Sequence, residues 1–161
     1  MSNTILTFSP FTLQNFLEFR EKSINDYTQN LVESGKGTHS AALEEAAKGF
    51  DGMLPQGLDT PNHSFNYIQS EQGEKIGYIW YDIRNEDVFI CEFRIYEDQQ
   101  GKGFARQTLD ELEQIARIAN VPMIRLHVFE HDTELQEFYR HMGFEISTTR
   151  PGSCWMQKVL R

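Results

Sequence analysis

The sequence has few cysteines and no long apolar run. Its 161 residues include two cysteines, Cys91 and Cys154, too few for the disulfide framework that holds small secreted domains together. It contains no apolar run of about 20 residues, the length that a membrane-spanning helix needs. No basic stretch followed by an apolar one stands near Met1. We therefore expect no signal peptide, no membrane partner and a cytoplasmic location.

Positive charge is also scarce. Fifteen Lys and Arg residues against 24 Asp and Glu residues give a formal net charge of −9 at pH 7. Nonspecific nucleic-acid binding depends on a basic surface, so we expect no nucleic-acid partner. The acidic balance favours a cationic acceptor such as an amine, or it only keeps the protein soluble. No cluster of His, Cys and Asp has the spacing of metal ligands, so we predict no metal.

The composition is that of a folded domain with a large core. Apolar residues make up 39% of the chain and include twelve phenylalanines, and no linker, repeat or low-complexity tract interrupts it. We therefore predict a single domain over residues 1–161. Hydrophobic periodicity and turn residues predict the element order β-α-α-β-β-β-α-β-α-β-β. The strands are expected at residues 3–9, 64–68, 75–84, 88–96, 123–129, 145–149 and 154–160. The helices are expected at residues 11–32, from Ser40 to Phe50, from Ala105 to Ala119, and before Gly143. The first of them is either continuous or broken into two, and Ser40 is expected to cap the second.

A glycine-rich turn joins the fourth predicted strand to the third predicted helix. Its sequence is Gln100-Gly101-Lys102-Gly103-Phe104-Ala105. Two glycines let the backbone turn sharply and leave no Cβ in the way of a ligand. The first N–H groups of the following helix are unpaired, and they favour a phosphate. The turn matches neither the Walker pattern nor the dinucleotide fingerprint, because Arg106 stands where the latter needs a third small residue.

The turn does fit the pattern Q/R-x-x-G-x-G/A, and it resembles the acetyl-CoA pyrophosphate loop of the GNAT N-acetyltransferase superfamily. A second motif supports the resemblance. Val128, then Phe138-Tyr139 and Gly143-Phe144, stand at the spacing of that superfamily's V-x-x-x-N and F/L-Y-x-x-x-G-F segments. Asp132 occupies the place of the usual Asn, and Asp caps a helix as well as Asn does. The resemblance covers the C-terminal half of the chain closely and the N-terminal half in outline.

The resemblance implies a fold and an activity. The fold is an α/β (mixed α+β) structure with a twisted, largely antiparallel sheet, helices on both faces, and splayed fourth and fifth strands at 88–96 and 123–129. The pantetheine arm of CoA pairs with the free edges of those strands. The activity is transfer of an acetyl group from acetyl-CoA to a primary amine of a small molecule or peptide, by direct attack in a ternary complex. Whether the chain forms a homodimer stays open.

The resemblance also assigns the cofactor-binding residues. Backbone groups of the fourth strand position the thioester, and an N–H near Ile95 polarises its carbonyl oxygen. The glycine turn holds the pyrophosphate, while the side chains of Lys102 and Arg106 either contact phosphate or are solvated. The expected cofactor-binding residues are Phe93, Arg94, Ile95, Gln100, Gly101, Lys102, Gly103, Phe104, Ala105, Arg106 and Asp132.

Two catalytic residues are expected. By the resemblance, Tyr139 is the general acid that protonates the departing CoA sulfur. Glu92, on the fourth strand and on the opposite face from Phe93 and Ile95, is the candidate general base. Asp87, Glu86 and a water chain are the alternatives, and no histidine is assigned.

The resemblance implies that the acceptor site is formed by the two N-terminal helices, their connecting loop and the loop between the last strands. These segments are residues 27–38, 50–63 and 150–155, with Trp80, Tyr81 and Trp155 as candidate lining residues. Two other functions stay open at this point. One is a noncatalytic acyl-CoA-binding module on the same fold, and the other is a nucleotide-binding protein that uses the glycine turn.

Overall fold

Residues 6–161 are described by the computed structural model, and they form one mixed sheet with α-helices on both faces. The predicted element order is confirmed. The strands are β1 (Thr7–Pro10), β2 (His63–Gln69), β3 (Lys75–Ile83), β4 (Asp87–Ile95), β5 (Met123–Phe129), β6 (Glu145–Arg150) and β7 (Ser153–Val159). The α-helices are α1 (Leu13–Glu33), α2 (His39–Met53), α3 (Phe104–Ile118) and α4 (Thr133–His141).

The sheet is largely antiparallel, as predicted. Its strand order is β1-β2-β3-β4-β5-β7-β6, and within residues 6–161 only the β4–β5 pair is parallel. Parallel neighbours need a crossover connection, and α3 supplies it between β4 and β5. The twisted, mixed α/β fold with helices on both faces is therefore confirmed.

Two hydrophobic cores hold the helices to the sheet. On the α3/α4 face the core is mainly aliphatic, and the stripe of α3 formed by Leu109, Leu112 and Ala116 is at most 2% exposed. On the α1/α2 face the core is mainly aromatic, with Phe19 and Trp80 at its centre. Each large apolar side chain buried in this way contributes about 1.5–3 kcal/mol. Within residues 6–161, no helix is both long and apolar enough to cross a membrane.

The N-terminal elements differ in detail from the predictions. α1 runs unbroken, and a capping box between Thr12 and Asn15 starts it. α2 is capped by Thr38, whose hydroxyl accepts a hydrogen bond from the Ala41 N–H, so Ser40 lies inside the first turn and is not the cap. β1 begins at Thr7, and the predicted strand residues 3–5 lie outside the part of the chain that is described.

The sheet splits between β4 and β5, which confirms the predicted splay. The two strands pair over four positions, from Asp87 opposite Met123 to Ile90 opposite Leu126. Beyond these pairs β4 continues along β3 and β5 continues along β7, but β4 and β5 no longer pair with each other. Their facing backbone N–H and C=O groups are left available to a ligand.

Candidate active site

A β-bulge in β4 sets which side chains face each side of the gap. Tyr81 of β3 pairs with Ile90 and Trp80 pairs with Glu92, so Cys91 has no partner in β3. Because of this extra residue, Phe89 and Glu92 face the same side of the sheet, toward α1 and α2. Simple alternation would place them on opposite sides.

Beyond the bulge, the side chains of β4 alternate as expected. Phe93 and Ile95 contribute to the core under α3 and α4, on the opposite face from Glu92. Arg94 shares the face of Glu92, pairs with Tyr78 and is exposed. The main chain of this segment lines the gap while its side chains pack or meet solvent.

The glycine turn leads from the end of β4 to the N-terminus of α3. Gly101 and Gly103 adopt φ values of 80° and 84°, which disfavour any other residue. Among residues 6–161, a Cβ added at Gly101 would meet nothing within 4 Å, and one at Gly103 would meet only the Gln107 Nε2 at 3.9 Å. Gly103 is the N-cap of α3 and offers no side-chain acceptor to the first N–H groups of the helix. The open space and the free donors fit a pyrophosphate.

The side chains of the turn contact protein groups. Gln100 Nε2 donates to the Ile95 carbonyl at 2.9 Å, which ties the turn to the end of β4. Lys102 Nζ donates to Gln99 Oε1 at 3.3 Å, and Arg106 Nη2 donates to the carbonyl of His141, the last residue of α4, at 3.3 Å. The glutamine of the motif therefore has a structural role in this turn.

Tyr139, the expected general acid, is buried in the core on the α3/α4 face. Its ring packs edge-on against Phe138 and Phe144, at centroid distances of 5.1 and 5.4 Å. Burial, reinforced by the negative charge of Asp132, raises the pKa of Tyr139 above its ordinary value. The phenol is therefore neutral at physiological pH and holds the proton that a general acid must give. Its hydroxyl makes no hydrogen bond within residues 6–161. The hydroxyl oxygen is not completely buried in that part of the chain.

Asp132 is the N-cap of α4, in agreement with its place in the motif. Its carboxylate accepts a hydrogen bond from the Leu135 N–H at 3.1 Å. Gln136, one turn into α4, donates to the carbonyl oxygens of Phe129 and Glu130 at 3.2 Å each. These bonds fix α4, and with it Tyr139, to the end of β5.

Glu92, the candidate base, points toward α1 and is largely enclosed. Ser23 Oγ donates a hydrogen bond to Glu92 Oε2 at 3.0 Å. Burial raises the pKa of Glu92 to about 7, and the hydrogen bond from Ser23 and the positive charge of Lys22 oppose part of that rise. A carboxylate with a pKa near neutral is well matched to removing a proton from an amine at physiological pH.

The competing acids are less well placed. Asp87 is buried, and its carboxylate is held by Arg84 Nε at 2.7 Å and Arg84 Nη2 at 2.9 Å. Both of its oxygens are thus engaged by the Arg84 guanidinium. Glu86 is exposed in the turn before β4.

The histidines near the gap have different environments. His63 Nδ1 accepts a hydrogen bond from Trp80 Nε1 at 2.9 Å, so its lone pair is engaged. His127 lies one residue beyond the last β4–β5 pair, and burial lowers the pKa of its imidazole. Its ring contacts Trp155 at a centroid distance of 5.1 Å and Phe129 at 5.0 Å.

Two of the predicted acceptor segments, 27–38 and 150–155, lie side by side, because a Cβ added at Gly152 would lie 3.2 Å from Lys36 Cε. Trp155 is half-buried beside His127, but Trp80 and Tyr81 are 4% and 7% exposed and belong to the two cores, so they do not line a cleft. In the α1/α2 segment, Asp51 pairs with Arg20 at 2.7 Å. In the described part of the chain no three His, Cys, Asp or Glu side chains are grouped to hold a metal ion.

The mixed sheet opens between its two parallel strands, and a glycine turn and a helix N-terminus lie at the end of the opening. This is the architecture of an acyl-CoA-dependent acyltransferase. Residues 26–144 match the model of the Acetyltransferase (GNAT) family. The match covers more than half of the 161 residues, and the chain belongs to that family. The expected acetyl-CoA-dependent N-acetyltransferase class is thereby confirmed, and the noncatalytic and nucleotide-binding alternatives are set aside.

Relatives agree with this assignment. The chain is 31% identical over 148 residues to the uncharacterized N-acetyltransferase YdgE of Bacillus subtilis, covering 89% of this chain and 94% of that protein. It is similar to the crystal structure of YycN of Bacillus subtilis, with a TM-score of 0.82, 27% identity, and coverage of 91% and 96%. It shares its fold with the spermidine N-acetyltransferase of Vibrio cholerae, crystallised with CoA and spermine, with a TM-score of 0.62, 18% identity, and coverage of 96% and 95%.

Proposed function

We propose that the chain transfers the acetyl group of acetyl-CoA to a primary amine of a small molecule or peptide, by direct attack with both substrates bound. The observation that carries the proposal is the gap between β4 and β5. The gap has Glu92 on the α1/α2 face and Tyr139 in the core on the α3/α4 face. A base on one face and an acid on the other suit a transfer between an acceptor and a thioester that approach from opposite sides.

The chain's own groups would position the cosubstrate. When bound, acetyl-CoA supplies an activated acyl thioester. Backbone N–H and C=O groups of β4 from Phe93 to Ile95 would pair with amides of the pantetheine arm and orient the thioester carbonyl. The N–H groups of Phe104, Ala105 and Arg106, at the positive end of α3, would hold the pyrophosphate.

Proton transfers would fall to the two side chains. Glu92 would accept a proton from the acceptor ammonium and leave a nucleophilic amine. Tyr139 would donate its proton to the departing sulfur, whose conjugate thiol has an ordinary pKa of about 8.5. The near-neutral pKa of Glu92 supports its assignment as the base. Tyr139 is neutral and therefore carries a proton to donate, while burial also makes its phenol a weaker acid than a free tyrosine.

Cys91 supports direct attack over a covalent acetyl-enzyme. It is the bulged residue of β4 at the gap and therefore the thiol best placed to be acylated. Burial raises the pKa of the Cys91 thiol well above its usual value. The thiolate, which is the nucleophilic form, is thus scarce at neutral pH.

The proposal is tested by mixing the purified protein with acetyl-CoA and a panel of primary amines, and by following release of the CoA thiol and the mass of the acetylated product. We expect transfer to at least one amine class. Acetylation of alcohols or thiols with no transfer to any amine would refute the N-acetyl assignment and leave the family assignment intact.

Glu92→Gln is expected to remove the acidic limb of the pH profile. In the parent protein kcat/KM should rise with pH around an apparent pKa of about 7, because Glu92 must be ionised to accept a proton. The Gln variant cannot accept it, so the limb should flatten and the plateau should fall by ~10–10²-fold. The profile is measured with two acceptors of different amine pKa. If the apparent pKa of the acidic limb changes with the pKa of the acceptor amine, the limb reports ionisation of the amine and not of Glu92.

Ser23→Ala is the matched variant for this experiment. It removes the hydrogen bond that favours ionised Glu92, so the limb should move to higher pH while the activity at its plateau persists. If the profile of the Gln variant equals that of the parent, the base is Asp87, Glu86 or water.

The buried acid also predicts a pH-dependent stability. The folded-state pKa of Glu92, about 7, lies above its ordinary value of 4.5, so folding favours the protonated form. The contribution of Glu92 to the free energy of unfolding should therefore fall as the pH rises from about 4.5 to above 7. Glu92→Gln should therefore be more stable than the parent at pH 8, by about 1–3 kcal/mol, and show no such gain near pH 4.5. Urea unfolding at both pH values measures this, with exposed Glu86→Gln as control, and an equal effect of both variants would contradict burial as the cause.

A further inference from the structure

A pocket of about 550 Å³ lies on the sheet beside the gap. It opens on the face that carries His127 and Phe89, which is the face of Glu92. Three of its lining residues are arginines and two are aromatic. The lining residues are Arg84, Phe89, Arg125, Thr148, Arg150 and Trp155.

Two of the three arginines carry a positive charge that no acidic side chain of residues 6–161 pairs with. Arg84 is committed to Asp87, and its guanidinium lies 4.5 Å above the Phe89 ring. Arg125 and Arg150 form no ion pair with any residue from 6 to 161. The Nε atom of Arg125 is buried there without a hydrogen-bond partner. Such a cluster does not follow from a generally basic surface, because the net charge of the chain is −9.

Two acids beside the pocket already have other partners. Asp87 is taken by Arg84. Asp82, which pairs with Phe89 across β3 and β4, lies with Oδ2 3.6 Å from His63 Nε2. Arg125 is half-buried, and a half-buried guanidinium without a carboxylate or phosphate partner is unfavourable, so a ligand anion would supply the missing partner. Arg150 is exposed and open to contact with the same anion.

The pocket is placed to serve the acceptor and not CoA. Phe89 and Arg125 face each other one position before Ile90 and Leu126, the last β4–β5 pair. The gap thus begins about two residues, or roughly 7 Å, from the pocket. The glycine turn lies beyond Ile95, six residues from Phe89 and therefore about 20 Å away along the strand. Phosphates held by the turn do not reach the arginines.

We propose that this pocket binds a carboxylate of the acceptor, so that the acceptor is an amine that carries a carboxylate at its other end, as in an ω-amino acid or a short peptide. The proposal rests on the proposed transfer to an amine and names its substrate class. Arg125 and Arg150 bind the carboxylate, and Trp155 and Phe89 contact the apolar stem between the two ends. The amine end then lies at the gap, on the same face as Glu92.

Matched acceptors test the proposal. ω-Amino acids with two to six carbons are compared with alkylamines of equal length, with their amides, and with aminoalkyl phosphates. We expect kcat/KM for the best carboxylate to exceed that of its amide by about tenfold to a hundredfold, the usual effect of charge-assisted hydrogen bonds. Equal rates for acid and amide, or a preference for polyamines, would overturn the carboxylate site while amine transfer itself stands. A preference for the phosphates would replace carboxylate by phosphate as the ligand.

Arg125→Gln and Arg150→Gln should each remove most of the preference for the ω-amino acid over its amide. The control is Arg117→Gln, which deletes the same charge from the exposed face of α3 and should keep the preference. Arg150 is also exposed, so its variant folds even if the one at half-buried Arg125 does not. Retention of the preference in Arg150→Gln and in a folded Arg125→Gln would refute the site.

A binding readout separates the two proposals. Glutarate, which carries carboxylates but no amine, should bind the parent protein and compete with the acceptor, and Arg150→Gln should weaken its binding about tenfold or more in calorimetry. Glutarate binding without transfer to any amine would leave the pocket assigned and the proposed function wrong. Transfer to amines without glutarate binding would support the proposed function and refute the carboxylate pocket.

Discussion

Tyr139→Phe is expected to lower kcat by ~10²–10⁴-fold and to leave the affinity for acetyl-CoA close to that of the parent. Only the hydroxyl is removed, and the edge-on packing of the ring against Phe138 and Phe144 survives. Without a positioned proton donor the thiolate must leave unprotonated or take its proton from water. Calorimetric titration gives the affinity, and single-turnover kinetics give the rate of the chemical step.

Tyr81→Phe is the matched control for this prediction. Tyr81 is also buried in the core on the α3/α4 face, but it lies on β3 and is separated from the gap by β4. Loss of its hydroxyl should change stability and not the chemical step. An unchanged single-turnover rate in Tyr139→Phe, or an equal loss in both variants, would exclude Tyr139 as the essential acid.

The turn and the α4 motif could be predicted because their structure depends on local residues. Gly101 and Gly103 are glycines at left-handed backbone positions, and Asp132 is a capping residue immediately before its helix. Such features depend on a few neighbouring positions along the chain. The same holds for the stripe of α3 and for the element order.

The bulge at Cys91 could not be predicted in this way. No glycine marks it, and it exists only relative to the pairing of β3, where Trp80 and Tyr81 take Glu92 and Ile90 as partners. The alternation of side chains along β4 predicts that Glu92 and Phe93 face opposite sides of the sheet. It does not predict that Phe89 faces the same side as Glu92. That shared face brings the candidate base and the pocket to the same side of the gap.

The arginine pocket was missed for a related reason. Arg84, Arg125 and Arg150 are far apart in sequence and meet only because β5 lies between β4 and β7 and β6 completes the edge. Segment 150–155, which we predict at the acceptor site, contributes Arg150 and Trp155 to the lining of this pocket. The one available signal was Arg125, a charged residue in a strand that otherwise reads as apolar and aromatic.

Gly103→Val is expected to weaken acetyl-CoA binding by ~10²-fold or more. The added branched carbons would fill the space at the N-terminus of α3 that is now open apart from Gln107 Nε2 at 3.9 Å. A pyrophosphate displaced from this position loses two or more charge-assisted hydrogen bonds from backbone N–H groups, each of ~1.5–3 kcal/mol. Calorimetric titration with acetyl-CoA measures the loss.

Backbone strain must be separated from the blocked site, because a residue with a side chain at a φ of 84° is strained by ~1–2 kcal/mol wherever it lies. Gly73, in the turn between β2 and β3, offers the same strain without the site: its φ is 82° and a Cβ there would meet nothing within 4 Å among residues 6–161. Gly73→Val should therefore lose a similar amount of thermal stability and keep the parent affinity for acetyl-CoA. If both variants fold and bind acetyl-CoA equally well, the pyrophosphate lies elsewhere. If both lose affinity together, the loss reflects stability and not the turn.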